Sequence, residues 1–417
     1  MDEQVAPSAL ITSDAVTFGI LAAILGLLFW TRSLGGRWAK FYGVVPIILL
    51  CYLIPSLLTS FNVITSETNL WQVAKDYFLP AALILLTLSI DMKAVIGLGP
   101  KALIMFFTAT VGIVIGGPIA VALVGTFSPE TVGGEGADAA WRGLATVAGS
   151  WIGGGANQTA MLEVYGYNIE NYAAMVAVDI VVANIWMAFL LYGAGNPEPI
   201  DRWLKADTSA ITRLQTKMAD YSASIERVSK TEDFMVMVAL TFAGVGLSHL
   251  VALLVGPAIA ALPGMEESVL TSGFFWVVVV ATTYGLALSF TRARQLEGAG
   301  ASKLGTVFIF LLVTIIGTKM DIFSVAERPL LFLVGIIWML VHTILLFTVA
   351  KMIRAPFFFI AVGSKANVGG AASAPVLAAA FHPALAPVGV LLAVLGYALG
   401  TYGAILCAEM MRVVVGG

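Results

Sequence analysis

Gly149-Ser150-Trp151-Ile152-Gly153-Gly154-Gly155-Ala156-Asn157-Gln158-Thr159-Ala160 and Gly363-Ser364-Lys365-Ala366-Asn367-Val368-Gly369-Gly370-Ala371-Ala372-Ser373-Ala374-Pro375 are two variants of one phrase. Each opens on Gly-Ser, centres on Gly-Gly-Ala and carries a polar residue shortly afterwards. Their surroundings match as well. Upstream of the first, one apolar stretch ends Leu86-Thr87-Leu88-Ser89-Ile90-Asp91-Met92-Lys93 and another begins after Pro100. Upstream of the second, one ends Thr314-Ile315-Ile316-Gly317-Thr318-Lys319-Met320-Asp321 and the next begins after Pro329. A long apolar stretch closes both. Two apolar segments resemble each other easily by chance, but the same order over three consecutive elements points to an internal repeat.

The rest of the chain says what solvent these elements meet. It is 59% hydrophobic and 11% charged, with a mean hydropathy of +0.95. A soluble domain carries roughly a quarter charged residues, so this chain could not cover a surface facing water, and lipid must surround most of it. Apolar windows near the spanning length of about 20 residues fall at 13–31, 41–60, 77–97, 102–124, 171–193, 234–256, 270–290, 303–318, 330–350 and 386–408. They run without dyad alternation, which predicts helices rather than barrel strands. The first follows an acidic Met-Asp-Glu start with no basic region or clear cleavage site, and reads as a retained helix. Cys51 and Cys407 both fall in apolar windows and read as small buried hydrophobes. No basic tract suggests nucleic acid.

Lysine and arginine set orientation. Arg32, Arg37 and Lys40, Lys93 and Lys101, Arg292, Arg294 and Lys303, and Lys351 and Arg354 mark four cytoplasmic loops. Glu130, Glu135 and Asp138, against Arg142 alone, suit the outer face. Residues 197–233 form the one long polar stretch, in which Ile211, Leu214, Met218, Tyr221, Ile225 and Val228 align an apolar stripe on a helix. That helix packs under its own bundle, lies at the membrane surface or pairs between protomers. Its Arg202, Lys205, Arg213, Lys217, Arg227 and Lys230 place it in the cytoplasm. Parity then gives residues 1–196 five crossings plus one re-entrant or broken segment, and 234–417 the same in the opposite sense. The expected fold is thus an all-α integral membrane protein of two inverted repeats joined by a cytoplasmic linker.

Broken backbone at membrane depth survives only inside protein or beside water, because an unsatisfied N–H or C=O in hydrocarbon costs several kcal/mol. Glycine permits the turn and keeps side chains away from a ligand, freed carbonyls can hold a cation, and a helix N-terminus can hold an anion. Paired interruptions of this kind mark transporter sites. Close helix packing is the other use of such glycines. The expected substrate site comprises Gly154, Gly155, Asn157, Gln158, Thr159, Lys365, Asn367, Gly369, Gly370 and Ser373. Asn157, Asp179 and Asn184 are the candidates for ion or proton coupling, with a Na⁺ site at Gly153, Asn157 and Asp179. Asp179 is an intramembrane charge, either functional or part of a structural pair. Lys365 either attracts an anionic substrate or ties down its own segment. Glu163 faces a cavity mouth or the headgroups. His249 and His342 read as packing or interhelical hydrogen bonds, His382 as turn chemistry and Asp91 as an interfacial charge.

The run Gly153-Gly154-Gly155-Ala156-Asn157, a short helix and then Ala173–Phe189 resembles the Pro-Gly-Gly-x-x-Ser-Asn element and following helix of bile-acid-type sodium symporters, without the proline and with Asn157-Gln158 in place of Ser-Asn. Leu86-Thr87-Leu88-Ser89 with Pro100-Lys101 is similar to the segment upstream in that family. The two glycine-rich segments also resemble the hairpins of bacterial glutamate and citrate sodium symporters. Over nearly its whole length the chain most resembles domain-of-unknown-function family 819. The resemblance implies a scaffold domain and a mobile core domain that moves substrate by an elevator-like motion.

The function expected is therefore cation-coupled secondary transport of a small polar solute, with Na⁺ preferred over H⁺. The protein would sit as a homodimer in a bacterial inner membrane, with no cofactor beyond the coupling ion. The alternative is a passive channel or membrane scaffold. Neither a nucleotide-binding Gly-x-x-x-x-Gly-Lys-Ser/Thr loop nor His-Glu-x-x-His is present, so nucleotide drive and intramembrane metalloenzyme chemistry are not expected.

Overall fold

Proline and glycine punctuate a chain that is otherwise wound into helix. The computed structural model describes residues 9–209, 211–215, 228–263, 265, 268–320 and 323–416. Its principal helices are α1 (Asp14–Ser33), α2 (Gly36–Val44), α3 (Ile47–Ser60), α4 (Leu79–Leu88), α5 (Pro100–Gly125), α6 (Ala140–Tyr165), α7 (Tyr172–Gly195), α8 (Thr231–Ala260), α9 (Gly273–Ser289), α10 (Ala301–Gly317), α11 (Leu331–Ile353), α12 (Phe357–Asn367), α13 (Gly370–Phe381) and α14 (Ala386–Val415). The β-pairing among the described residues is one isolated bridge between Ile11 and Ile64. Helices dominate because an α-helix pairs its own backbone groups within the segment, as a lipid solvent requires. α5 illustrates the punctuation: Gly99 turns at φ 93° and Pro100 follows, where its missing N–H is not needed.

Six helices (α1, α5, α7, α8, α11 and α14) are long and apolar enough to cross a bilayer, and up to eight if two bent pairs each count as one span. Two expected windows shift. The 41–60 window is divided by Pro46, which separates α2 from α3. The 77–97 window starts earlier, through Leu70–Val73 and a π-helical turn Ala74–Phe78, and stops at Leu88. It stops there because polar groups take over: Ser89 donates to Glu297 at 2.5 Å, and Asp91 caps Ala94 and pairs with Arg294. Of the expected linker stripe, Met218, Tyr221 and Ile225 lie outside the described residues; Leu214 is buried and Val228 exposed.

The helices pack as two groups. One gathers α1, α3, α4, α8, α9 and α10; the other gathers α5, α6, α7 and α11 to α14. Both cysteines are buried and free.

α6 is not a rod. Over its 26 residues a straight helix would be about 39 Å long, yet the Arg142 guanidinium donates to the Tyr165 carbonyl and the Trp141 and Tyr165 rings lie 5.3 Å apart. The chain therefore doubles back, and it does so at Gly154, where φ is 72° and ψ −170°. α12 and α13 form a second hairpin. Phe357 at its start and Phe358 pack against Phe381 at its end, tilted and edge-on respectively, at 6.0 and 5.3 Å between ring centroids.

The two hairpins start from opposite ends of the molecule. The base of the second lies with the start of α5 and the ends of α7 and α11, joined by Lys101–Asp207 at 3.1 Å, Lys101 to the Arg354 carbonyl and Phe357 N–H to Asp201. The base of the first lies with the start of α7 and the end of α14, joined by Asn171 to Asp138 at 2.7 Å and Tyr165 to Glu409 at 3.0 Å.

Candidate functional site

The turns of both hairpins meet one ring. Gly154 has backbone angles in a region that essentially only glycine occupies, and Gly369 and Gly370 turn the second hairpin at φ 117° and 58°. A methyl group placed on Gly154 would lie 3.5 Å from the Tyr397 ring of α14, and one on Gly370 would lie 3.7 Å from the same ring carbon. Gly154 and Gly155 are half-buried and Gly369 is exposed, whereas the polar side chains beside them are buried. What each tip presents to solvent is backbone.

Those buried side chains hold the hairpins to the bundle. Asn157 is 0% exposed; its amide donates to the carbonyls of Gly153 and Tyr397, each at 3.0 Å, and its Oδ1 accepts from Thr401 at 2.6 Å. Asn367 repeats the pattern on α5. It donates to the carbonyls of Gly363 at 3.0 Å and Phe106 at 3.3 Å, and accepts from Thr110 at 2.8 Å. One clamp sits just after its turn and the other just before. Thr401 also contacts Thr282 of α9 at 3.1 Å, which carries the chain of hydroxyls from one helix group to the other. Gly153 allows this proximity, since a methyl group there would sit 2.7 Å from Gly400 Cα.

Asp179 of α7 ties the two arms of the first hairpin together. Its Oδ2 accepts from Ser150 at 2.7 Å and Gln158 at 3.1 Å, and its Oδ1 from Trp151 Nε1 at 2.7 Å. Ser150 and Gln158 would lie about 12 Å apart along a straight helix; the turn brings both to one oxygen. On the second hairpin, Ser364 accepts from Trp186 at 2.8 Å and meets His342 at 2.7 Å, while Lys365 donates to the Ala183 carbonyl at 3.4 Å.

Comparison with known proteins bears on this architecture. The model of a family described as "Protein of unknown function (DUF819)" matches residues 19–414. The chain belongs to the DUF819 family. It is also similar to the uncharacterized membrane protein YjcL of Bacillus subtilis (strain 168), at 25% identity over 351 residues, which cover 82% of this chain and 84% of that relative. With its helices, this makes the DUF819 chain a multi-span membrane protein.

Within this DUF819 member the structure brings together most of the residues singled out by sequence. Gly154, Gly155, Gly369 and Gly370 form the two turns at Tyr397. Gln158 and Asp179 bond each other, Asn157 bonds separately to the Gly153 and Tyr397 carbonyls and Thr401, and Thr159 bonds within the first hairpin to the Gly155 carbonyl. The oxygens at the expected Na⁺ site already accept protein hydrogen bonds at Gly153, Asn157 and Asp179. Asn184 stands apart, exposed and bonded to the Ile180 carbonyl of its own helix. Glu163 pairs with Lys75 at 2.6 Å. Asp91, read as an interfacial charge, is bound to Arg294 across helices. His249 bonds the Asp76 carbonyl, and His342 bonds the Ala109 carbonyl and Ser364, as interhelical bonding predicts. His382 accepts from Ala384 N–H in a turn. Sequence reading missed Tyr397, Thr401, Thr110, Ser150 and Trp151. A trace does exist: Phe106 and Thr110 share the spacing of Tyr397 and Thr401, and each pair serves one asparagine.

Proposed function

We propose that this DUF819 protein is a secondary active transporter of a small polar solute, driven by a cation gradient with Na⁺ preferred over H⁺. The observation that supports it is the meeting of two hairpin turns, entered from opposite ends of the molecule, at Tyr397, with backbone accessible at Gly154, Gly155 and Gly369. A lipid solvent penalises unpaired backbone, so accessible turns deep in a helical bundle make sense beside a water-filled substrate path.

On this reading the chain is two inverted repeats, 1–196 and 234–417, each with five crossings and one re-entrant hairpin. α4 and α10 serve as the shorter crossings. The group holding both hairpins is the mobile core, and the group of α1, α3, α4, α8, α9 and α10 is the scaffold of an elevator-type carrier. Carbonyl and hydroxyl oxygens near the tips suit a hard cation; a proton would fall to Asp179. Sodium at Gly153, Asn157 and Asp179 would compete with the hydrogen bonds their oxygens now accept, which gives ion binding a means to reshape the hairpin. The protein acts as a carrier rather than an enzyme, as a homodimer in the bacterial inner membrane.

The test is uptake by purified protein in liposomes, offered a labelled mixture of amino acids, sugars and carboxylic acids, with Na⁺ and pH gradients imposed separately. Accumulation that follows the Na⁺ gradient is expected. Flux that ignores both gradients would indicate a passive pore, and no flux at all would leave a scaffold.

A further inference from the structure

We infer that the tip of the second hairpin is a subsite for a carboxylate, so that the transported solute is a small organic anion; this rests on the hairpin tips being the substrate site. Three features meet around Gly369. Lys365 is 3% exposed, and among the described residues one bond, at 3.4 Å to Ala183, engages its ammonium, which has three N–H donors. The Ser373 hydroxyl is buried and has no hydrogen-bond partner among the described residues. Gly369 itself is exposed. A methyl group placed on Gly369 would lie 2.4 Å from Ser373 Oγ and 2.9 Å from Lys365 Nζ. The missing side chain is therefore what lets the amine and the hydroxyl lie directly against the exposed backbone of the tip.

Charge points the same way. α13, a 12-residue helix, begins at Gly370 with no side-chain cap, so its positive end lies beside Lys365. Asp179 acts on Lys365 through its charge, but both Asp179 oxygens are engaged by Ser150, Trp151 and Gln158 of the other hairpin, and no ion pair joins it to Lys365. An unpaired buried ammonium is costly; an anion would offset that cost. One ammonium and one hydroxyl match the two oxygens and single charge of a carboxylate. Among the described residues no arginine fork of the kind suited to phosphate stands at the tip.

The test is thermal stability of the purified full-length protein with sodium acetate, lactate and succinate, each against its amide (acetamide, lactamide, succinamide) and against sodium phosphate. At least one carboxylate should raise the melting temperature while its amide and phosphate do not. Lys365→Gln should lose that shift, Lys365→Arg should keep part of it, and Ser373→Ala should weaken apparent affinity by roughly fivefold, the size of one hydrogen bond. Should Lys365→Gln fail to fold, Ser373→Asp decides, because a built-in carboxylate beside the amine should abolish the response to added anion. The inference is overturned if amide or phosphate stabilises equally, if the shift survives Lys365→Gln or Ser373→Asp, or if no carboxylate acts on the wild type. Liposome flux separates this from the carrier reading. Carboxylate binding without flux removes transport and keeps the subsite; flux of a neutral solute unaffected by Lys365→Gln does the reverse.

Discussion

Asn157 and Asn367 direct their amides into the protein rather than toward solvent, and that defines their work. Each bonds one carbonyl of its own hairpin and one of a long helix, and each accepts from a threonine on that helix. Alanine at 157 would leave the Tyr397 carbonyl and the Thr401 hydroxyl without this partner in a buried setting. We expect a loss of about 2–4 kcal/mol, the cost of orphaning several buried polar groups, read as a lower unfolding temperature. Adding Thr401→Val should recover part of the loss, because an absent hydroxyl needs no partner; strictly additive losses would show that the two side chains do not act together. Sequence had marked both asparagines as polar residues at the breaks. It could not tell a ligand from a clamp, since that depends on Thr401 and Thr110, far away in the chain and ordinary members of apolar runs.

At the scale of the element, the deciding feature is that each glycine-rich segment is a hairpin. A broken helix that crosses and a hairpin that returns share one composition. They differ in where their ends lie. With cysteines at positions 142 and 165, a short bifunctional thiol reagent should join them within one molecule, because the Arg142 guanidinium reaches the Tyr165 backbone carbonyl. In a continuous helix the same positions would be about 35 Å apart, and failure to cross-link would remove the hairpin. The turns were legible from Gly153-Gly154-Gly155 and Gly369-Gly370. Element ends were less so: the 77–97 window runs on through Ile90, and what meets the chain just past Leu88 is Glu297 and Arg294 from the distant 3-10 helix Arg292–Ala299.

For the whole molecule, the arrangement of ends carries the topology. Asp138 stands at the base of the first hairpin and Asp207 at the base of the second, with α5, α7, α11 and α14 running between those ends. Single cysteines at 138 and 207, in intact cells, should react with a membrane-impermeant maleimide from opposite faces, with 138 labelled from outside. Labelling of both from the same face would contradict opposed hairpins and the inverted repeats proposed with them.

Composition and periodicity alone determined that this chain is a helical, multi-span membrane protein with two interrupted segments, because hydropathy over a spanning length and the backbone freedom of glycine are local properties. Only the tertiary structure decided that both interruptions fold back, that they meet at Tyr397, and that Asp179, Asn157 and Asn367 are held by protein donors while Lys365 and Ser373 have capacity to spare. Those outcomes depend on which distant helix supplies each hydrogen-bond partner, and in an apolar run a threonine or tyrosine four residues along reads the same whether it is buried against a neighbour or not.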